Sequence, residues 1–335
     1  PGPAAGREPA RRERVAAGGG GVPLSVPGRG MCPHPLPPRA EVRVRGGRVA
    51  VYGATSRAAE ASAGGDAAGT APSAPVAVLA HGLCLDRTEW AAVEEGLTMR
   101  GIECFSYDHL GQGDSDTPEA RGFSLSIDAL ADDMADVCEA AGGGAPVHLV
   151  GHSMGGYCAL RVASRRPELV ASLTLVGSRA QAERPFKLVE IALMSLVVVI
   201  FGTPPIVTKL MAMMFGPAFV RKQPAAARDI QAHLAALPRR ILRAVWGVIT
   251  RGAVSDADLR AIQCPVLIVH GELDASVPIE HARETAARLP SLRRVATLPG
   301  VGHTPAVEAP AETTSLIAEF IDESICEAPP AAGSI

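Results

Sequence analysis

The chain reads as an α/β fold: a mainly parallel central sheet with helices on both faces and a helical insertion. Three observations predict this. From Val76 onward, short apolar runs alternate with segments of helical period. A Gly-x-Ser-x-Gly sequence, Gly151-His152-Ser153-Met154-Gly155, stands between one such run and one such helix. The alternation stops between about Gln181 and Ser255 and then resumes. Parallel strands need long crossovers, which helices supply, so an alternating pattern implies a sheet covered on both sides.

The elements follow in order. Residues 1–40 hold nine Pro and eight Gly with no apolar block long enough for a signal peptide, and are expected to be a disordered tail. Arg43 to Val51 alternates around Gly46-Gly47 and suits a hairpin. Residues 54–75 are rich in Ala, Gly, Ser and Thr without periodicity, which suits a flexible insertion. Strand Val76–Ala80 leads to a helix near Trp90–Arg100 and strand Ile102–Tyr107. Helix Asp128–Ala141 carries Leu130, Met134, Val137 and Ala141 on one face and precedes strand Val147–Val150. Helix 154–166 and strand Val170–Val176 complete the first part. Strand Val266–His270, a helix near Ile279–Leu289, strand Arg293–Leu298 and helix 310–324 complete the second. The expected division is a core of 41–180 with 256–326, and a helical cap of 181–255.

With 335 residues, 47% of them hydrophobic and 20% charged, the chain can bury a substantial core. Its seven cysteines are odd in number, widely spaced and free of Cys-x-x-Cys. That usage fits a reduced, cytoplasmic setting better than a disulfide framework or a zinc site. The formal charge is −3, and no nucleic-acid partner is expected.

Chemistry centres on Ser153. A Gly-x-Ser-x-Gly turn between strand and helix lifts the serine hydroxyl clear of the sheet, and the glycines admit the crowded backbone. The helix that follows aims its N-terminus at charge developing during acyl transfer. Chance supplies about 0.2 such motifs in this composition, so the surroundings must support it. An activated serine needs a base, and the base needs a partner that fixes its tautomer. Of nine histidines, His303 lies in the loop Pro299-Gly-Val-Gly-His303-Thr-Pro after the last strand, where backbone can approach the turn. Its alternative is a histidine capping the last helix. For the acid, Asp274 follows the strand ending at His270, on the same rim as Ser153. Glu272 and Asp256 compete with it, and an Asx turn is its alternative role. Ser153, Asp274, His303 is the chain order expected for this turn. His81-Gly82-Leu83-Cys84 directly follows the first central strand, so the Leu83 N–H would join that of Met154 in an oxyanion hole. Tyr107 to Ser115 lacks the Lys-Ser/Thr of a phosphate loop and reads as a structural turn.

Five pieces carry a resemblance: His81-Gly82, Asp108-x-x-Gly111-x-Gly113-x-Ser115, Gly151-His-Ser-Met-Gly-Gly156, Gly271-x-x-Asp274 and Gly302-His303-x-Pro305-x-x-Glu308-x-Pro310. On these the chain, from about Val42 to Ser324, resembles the capped esterases and lipases of the α/β-hydrolase family. The resemblance implies nucleophile Ser153, acid Asp274, base His303, oxyanion amides Leu83 and Met154, and neither metal nor organic cofactor. The serine turn is similar to that of monoacylglycerol lipases, but many specificities share it. Carbon–carbon bond hydrolysis, acyl transfer, and ligand binding without catalysis are the rival functions. Epoxide hydrolases and haloalkane dehalogenases resemble this fold but use an Asp nucleophile, and Ser153 argues against them.

Residues 181–255 carry formal charge +7 in a chain of −3, which leaves −10 elsewhere. They also hold the run Ile191–Phe201, apolar but for Ser195, and the Met-rich stretch Leu210–Phe215. Gly202-Thr-Pro204-Pro205 interrupts the uncharged stretch, so a transmembrane helix is not expected. One reading is a cap helix packed on the core, with Arg on a solvated face. The other is an apolar acyl tunnel under a basic rim, suited to small-molecule ester or lipid-like substrates or to loose docking on an anionic membrane.

Overall fold

Strands β1 (Ala40–Val44) and β2 (Gly47–Gly53) form the antiparallel hairpin expected around Gly46-Gly47, with Val44 opposite Gly47. In the computed structural model, residues 40–44, 47–53, 74–117 and 125–327 are described. The tail 1–40 and the insertion 54–75 lie outside them, but for Ala40, Ala74 and Pro75. The other strands are β3 (Val76–Ala80), β4 (Glu103–Tyr107), β5 (Val147–His152), β6 (Val170–Val176), β7 (Val266–Gly271) and β8 (Leu292–Leu298). One sheet joins all eight in the order β1-β2-β4-β3-β5-β6-β7-β8. The β4-to-β8 ladders are parallel, and only the hairpin side is antiparallel.

Successive residues of β3 face opposite layers, because a strand turns its side chains over every residue. Val76, Val78 and Ala80 enter one core with α2 (Ile127–Gly142), α3 (Met154–Arg165), α9 (Asp256–Ala261) and α10 (Ile279–Ala286). Ala77 and Leu79 enter the other, beneath α1 (Ala91–Thr98) and α11 (Pro310–Glu327). With both faces buried, β3 reads as an unbroken apolar run rather than an alternating one, and β5 is buried throughout although His148 and His152 interrupt its apolar sequence. Local chemistry sets the ends of α2. Ser126 Oγ accepts the Ala129 N–H at 3.1 Å, and Gly143 closes the helix at φ +56°.

The chain leaves the sheet after β6 and builds α4 (Pro185–Phe201), α5 (Val207–Met214), α6 (Pro217–Lys222), α7 (Pro224–Ala236) and α8 (Ile241–Arg251). The Val254 N–H bonds the Ala180 carbonyl at 2.8 Å, so the excursion leaves and returns at one point. It has its own small core, including Met211, Met214, Phe219, Ile230 and Leu234, which takes in Leu85 from the loop after β3. Ile241 and Ala244 of α8 join the larger core. Among the described residues no helix is long and apolar enough to cross a membrane. The strand order reverses between β3 and β5. Such switch points open a crevice at the carboxyl ends of the strands, and Gly82 and Ser153 follow those two ends.

Candidate active site

Ser153 follows β5 directly and has φ +47°, a left-handed conformation that a side chain seldom adopts. Its backbone is held from both sides. Its N–H donates to the Val176 carbonyl of β6 at 2.9 Å, and its carbonyl accepts the Tyr157 N–H and the Ser178 hydroxyl. The flanking glycines are steric necessities. A Cβ on Gly151 would lie 2.6 Å from the Gly155 carbonyl carbon, and one on Gly155 would lie 2.4 Å from the Ala80 carbonyl oxygen. Gly155 therefore guards the neighbouring strand β3 as well as the turn itself. Gly155→Ala is expected to destabilise the protein by about 2–3 kcal/mol, since a backbone carbonyl cannot swing away. A thermal melt superimposable on that of the wild type would contradict this.

Asp274 lies three residues beyond β7, and His303 lies in the loop after β8. Asp274 Oδ1 accepts the N–H groups of Ser276 and Val277 at 2.9 and 2.7 Å. Its Oδ2 faces His303 Nδ1 at 2.7 Å. The Asx turn and the histidine partner, weighed as alternatives in the sequence, are thus roles of one side chain. Burial pushes the Asp274 carboxyl up, but His303, His270 and the Val277 amide outweigh it and hold the group below its ordinary value. His270 Nε2 donates to the Val277 carbonyl at 2.7 Å and lies 3.3 Å from Asp274 Oδ2. Burial holds His270 below the usual imidazole range, against the pull of Asp274. The His303 loop is itself fixed. Its N–H bonds the Met214 carbonyl at the end of α5, and Glu308 accepts the N–H groups of Gly302, Thr304 and Gly216.

The loop after β3 is equally constrained. His81 Nε2 accepts the His109 N–H at 2.9 Å, which leaves Nδ1–H to donate to the Gly82 carbonyl at 2.8 Å. Leu83 lies on the rim of the cavity described below, Cys84 has φ +66°, and Met154 is the buried first residue of α3. The segment Tyr107 to Ser115 folds as a turn clasped by Asp108, which accepts the Asp114 and Arg87 N–H groups.

Sequence reasoning missed Glu89. It is buried, and both its oxygens lie 3.1–3.2 Å from His152 Nδ1. His152 Nε2 meets the His303 carbonyl at 2.8 Å. Both ring nitrogens therefore face acceptors, the arrangement of a doubly protonated ring. Burial opposes that charge, but Glu89 and the His303 carbonyl raise His152 above its ordinary value. Glu89 also accepts the Gly82 N–H at 3.3 Å. One buried pair thus ties together the serine turn, the Leu83 loop and the His303 loop. No motif around Glu89 announces this, because its partner lies 63 residues away.

The competing candidates lie elsewhere. Asp256 pairs with Arg288 at the surface, and Glu272 is exposed and accepts the Gly300 N–H. His148 bonds Ser172 between strands, His233 meets the Cys84 carbonyl, and His281 sits on α10. His34 lies outside the described residues. Among the described residues no three His, Cys, Asp or Glu side chains are grouped to hold a metal ion.

Ser153 and His303 open together on a cavity of about 210 Å³. Leu83 lines it at the sheet, and Ile191, Met194 and Val198 line it from α4. A family model described as Serine aminopeptidase, S33, matches residues 71–310, well over half of the chain. The chain belongs to this family of α/β-hydrolases. The family's enzymes are hydrolases, and so is this chain. It is 28% identical to a candidate carbamate hydrolase, RutD, of Pseudomonas savastanoi pv. phaseolicola, over 74% of this chain and 94% of that protein. The structure is similar to a thermophilic esterase from Thermogutta terrifontis, at TM-score 0.70 and 25% identity over 85% of this hydrolase and 98% of that chain. It is also similar to a membrane phospholipase A described as a bacterial virulence factor, at TM-score 0.67 and 25% identity over 86% of each chain.

Proposed function

We propose that this hydrolase cleaves carboxylic esters of apolar, lipid-like acyl groups through an acyl-enzyme on Ser153. The observation that carries the reading is the shared opening of Ser153 and His303 on an apolar cavity, with His303 held by Asp274. His303 Nδ1–H is committed to Asp274, so Nε2 is the nitrogen left to take the Ser153 proton as the oxygen attacks the ester carbonyl. The Leu83 and Met154 amides receive the oxyanion, assisted by the N-terminus of α3. His303 returns the proton to the leaving alcohol, then activates the water that releases the acid. Asp274 stays ionised and stabilises the imidazolium. Residues 181–255 act as a cap, and α4 supplies one wall of the acyl site. The similar esterase and phospholipase support ester chemistry, and the similar carbamate hydrolase candidate keeps a related carbonyl substrate in view.

Initial rates on p-nitrophenyl esters from acetate to palmitate test the proposal. Turnover is expected to peak at medium or long chains, because each buried methylene contributes about 0.8 kcal/mol until the cavity is full. A peak at acetate would keep the esterase and remove the lipid-like substrate. No turnover at any length by folded protein would overturn the ester reading, and product analysis would then test carbon–carbon cleavage or acyl transfer.

A further inference from the structure

Helix α4 is apolar on two opposite sides, and only one is used. Ile191, Met194 and Val198 face the cavity. Phe186, Val189, Leu193, Leu196, Val199 and Ile200 face outward, from 55% exposed at Leu196 to 67% at Phe186. At 100° per residue these six fall within one arc of about 140°. Phe201 at the helix end is 66% exposed as well. A hydrolase that kept so large an apolar face in water would lose free energy, so something covers it.

The charges around the helix indicate what. The one carboxylate on α4, Glu190, is paired with both Lys187 and Lys209. That double pairing holds it down to about 2. Arg184 precedes the helix, and Arg239 donates to the Val198 and Ile200 carbonyls at its far end. The whole excursion carries +7 against −10 for the rest of the chain. A second copy joined through the same face in a two-fold dimer would set one basic rim against another. A negatively charged lipid surface would instead neutralise the rim while its acyl layer accepted the apolar arc.

We infer that α4 docks this enzyme on anionic lipid bilayers, lying in the plane of the interface with Leu193 and Leu196 near the centre of the contact. The opposite face of the same helix lines the cavity, so in a docked molecule α4 stands between the lipid and the cavity on which Ser153 opens. This deepens the ester reading by naming a bilayer as the source of substrate, but docking itself needs no catalysis.

The test is sedimentation of the full chain with vesicles of phosphatidylcholine alone or mixed with phosphatidylglycerol, at low and high salt. The wild type should pellet with the mixed vesicles, and less so at high salt. Leu193→Glu/Leu196→Glu/Ile200→Glu should reduce that partitioning at least tenfold. Its kcat/KM for a soluble short ester, without vesicles, should stay within about twofold of the wild type, since none of the three lines the cavity. Arg184→Glu/Lys209→Glu provides an independent variant, expected to lose the salt-sensitive part of binding. A wild type that stays in the supernatant, or variants that pellet like the wild type, would overturn the inference. So would pelleting indifferent to lipid charge, or a dimer that the triple variant splits without any vesicle binding. If vesicles bind as expected but no ester is turned over, docking stands and the ester reading fails.

Discussion

Ser153→Ala is expected to lower turnover of the best p-nitrophenyl ester by about 10⁴–10⁶-fold while the protein stays folded. The exchange removes one oxygen, and with it the atom proposed to form the covalent intermediate. The turn itself is held by backbone bonds, from the Ser153 N–H to Val176 and from Tyr157 and Ser178 to the Ser153 carbonyl. Alanine keeps all three, and it tolerates φ +47° no worse than serine does. The unfolding midpoint should therefore stay close to that of the wild type, in contrast to Gly155→Ala, where a new methyl meets the Ala80 carbonyl. The pair separates loss of the nucleophile from loss of the turn. Ester turnover near the wild-type rate in a purified Ser153→Ala sample would remove Ser153 from the mechanism.

Much of the fold was readable because strands buried on both faces leave short continuous apolar runs, while amphipathic helices leave an apolar stripe of helical period. Element ends were less readable, since hydrogen bonds rather than apolar pattern decide them. The apolar run of β5 stops at Val150, yet the strand continues through His152 because its ladder with β6 runs on. Helix α2 starts one residue earlier than its apolar face suggests, because Ser126 caps it. Ser153, Asp274 and His303 could be singled out since each sits in a short local motif at the end of a strand. Glu89 could not be. It lies in a single turn before Trp90, with nothing in its neighbourhood to distinguish it from a solvated acid, and only the fold brings it to His152. The outward face of α4 was hidden for a different reason. A helix apolar over most of its circumference says that it packs against something, but not which side is covered, and the sequence favoured a core contact where the structure leaves seven large side chains exposed.

Asp274→Asn is expected to lower kcat/KM by about 10⁴-fold, through the proton arrangement rather than through shape. The carboxylate accepts on both oxygens: two backbone N–H groups at Oδ1 and the His303 Nδ1–H at Oδ2, with His270 Nε2 lying 3.3 Å from Oδ2 while it donates to Val277. An asparagine has one acceptor and one donor end. If its oxygen keeps the Ser276 and Val277 amides, its NH₂ confronts His303 Nδ1 and stabilises the tautomer protonated on Nε2. That histidine cannot take a proton from Ser153. If the amide flips, two backbone N–H groups lose their acceptor, which costs about 1–3 kcal/mol for each buried donor left unmet. Either branch also removes a charge whose effect on stability has a sign. The folded carboxyl is held below its ordinary value by His303, so Asp274 stabilises the wild type at pH values above the usual carboxylate range. The contribution is lost as pH falls through the folded value. Urea unfolding should therefore show the gap between wild type and Asp274→Asn full near pH 6.5 and narrowed at pH 3, with activity lost throughout. A gap of equal size at both pH values would mean that the hydrogen-bond geometry, and not the charge on Asp274, carries its stabilising role.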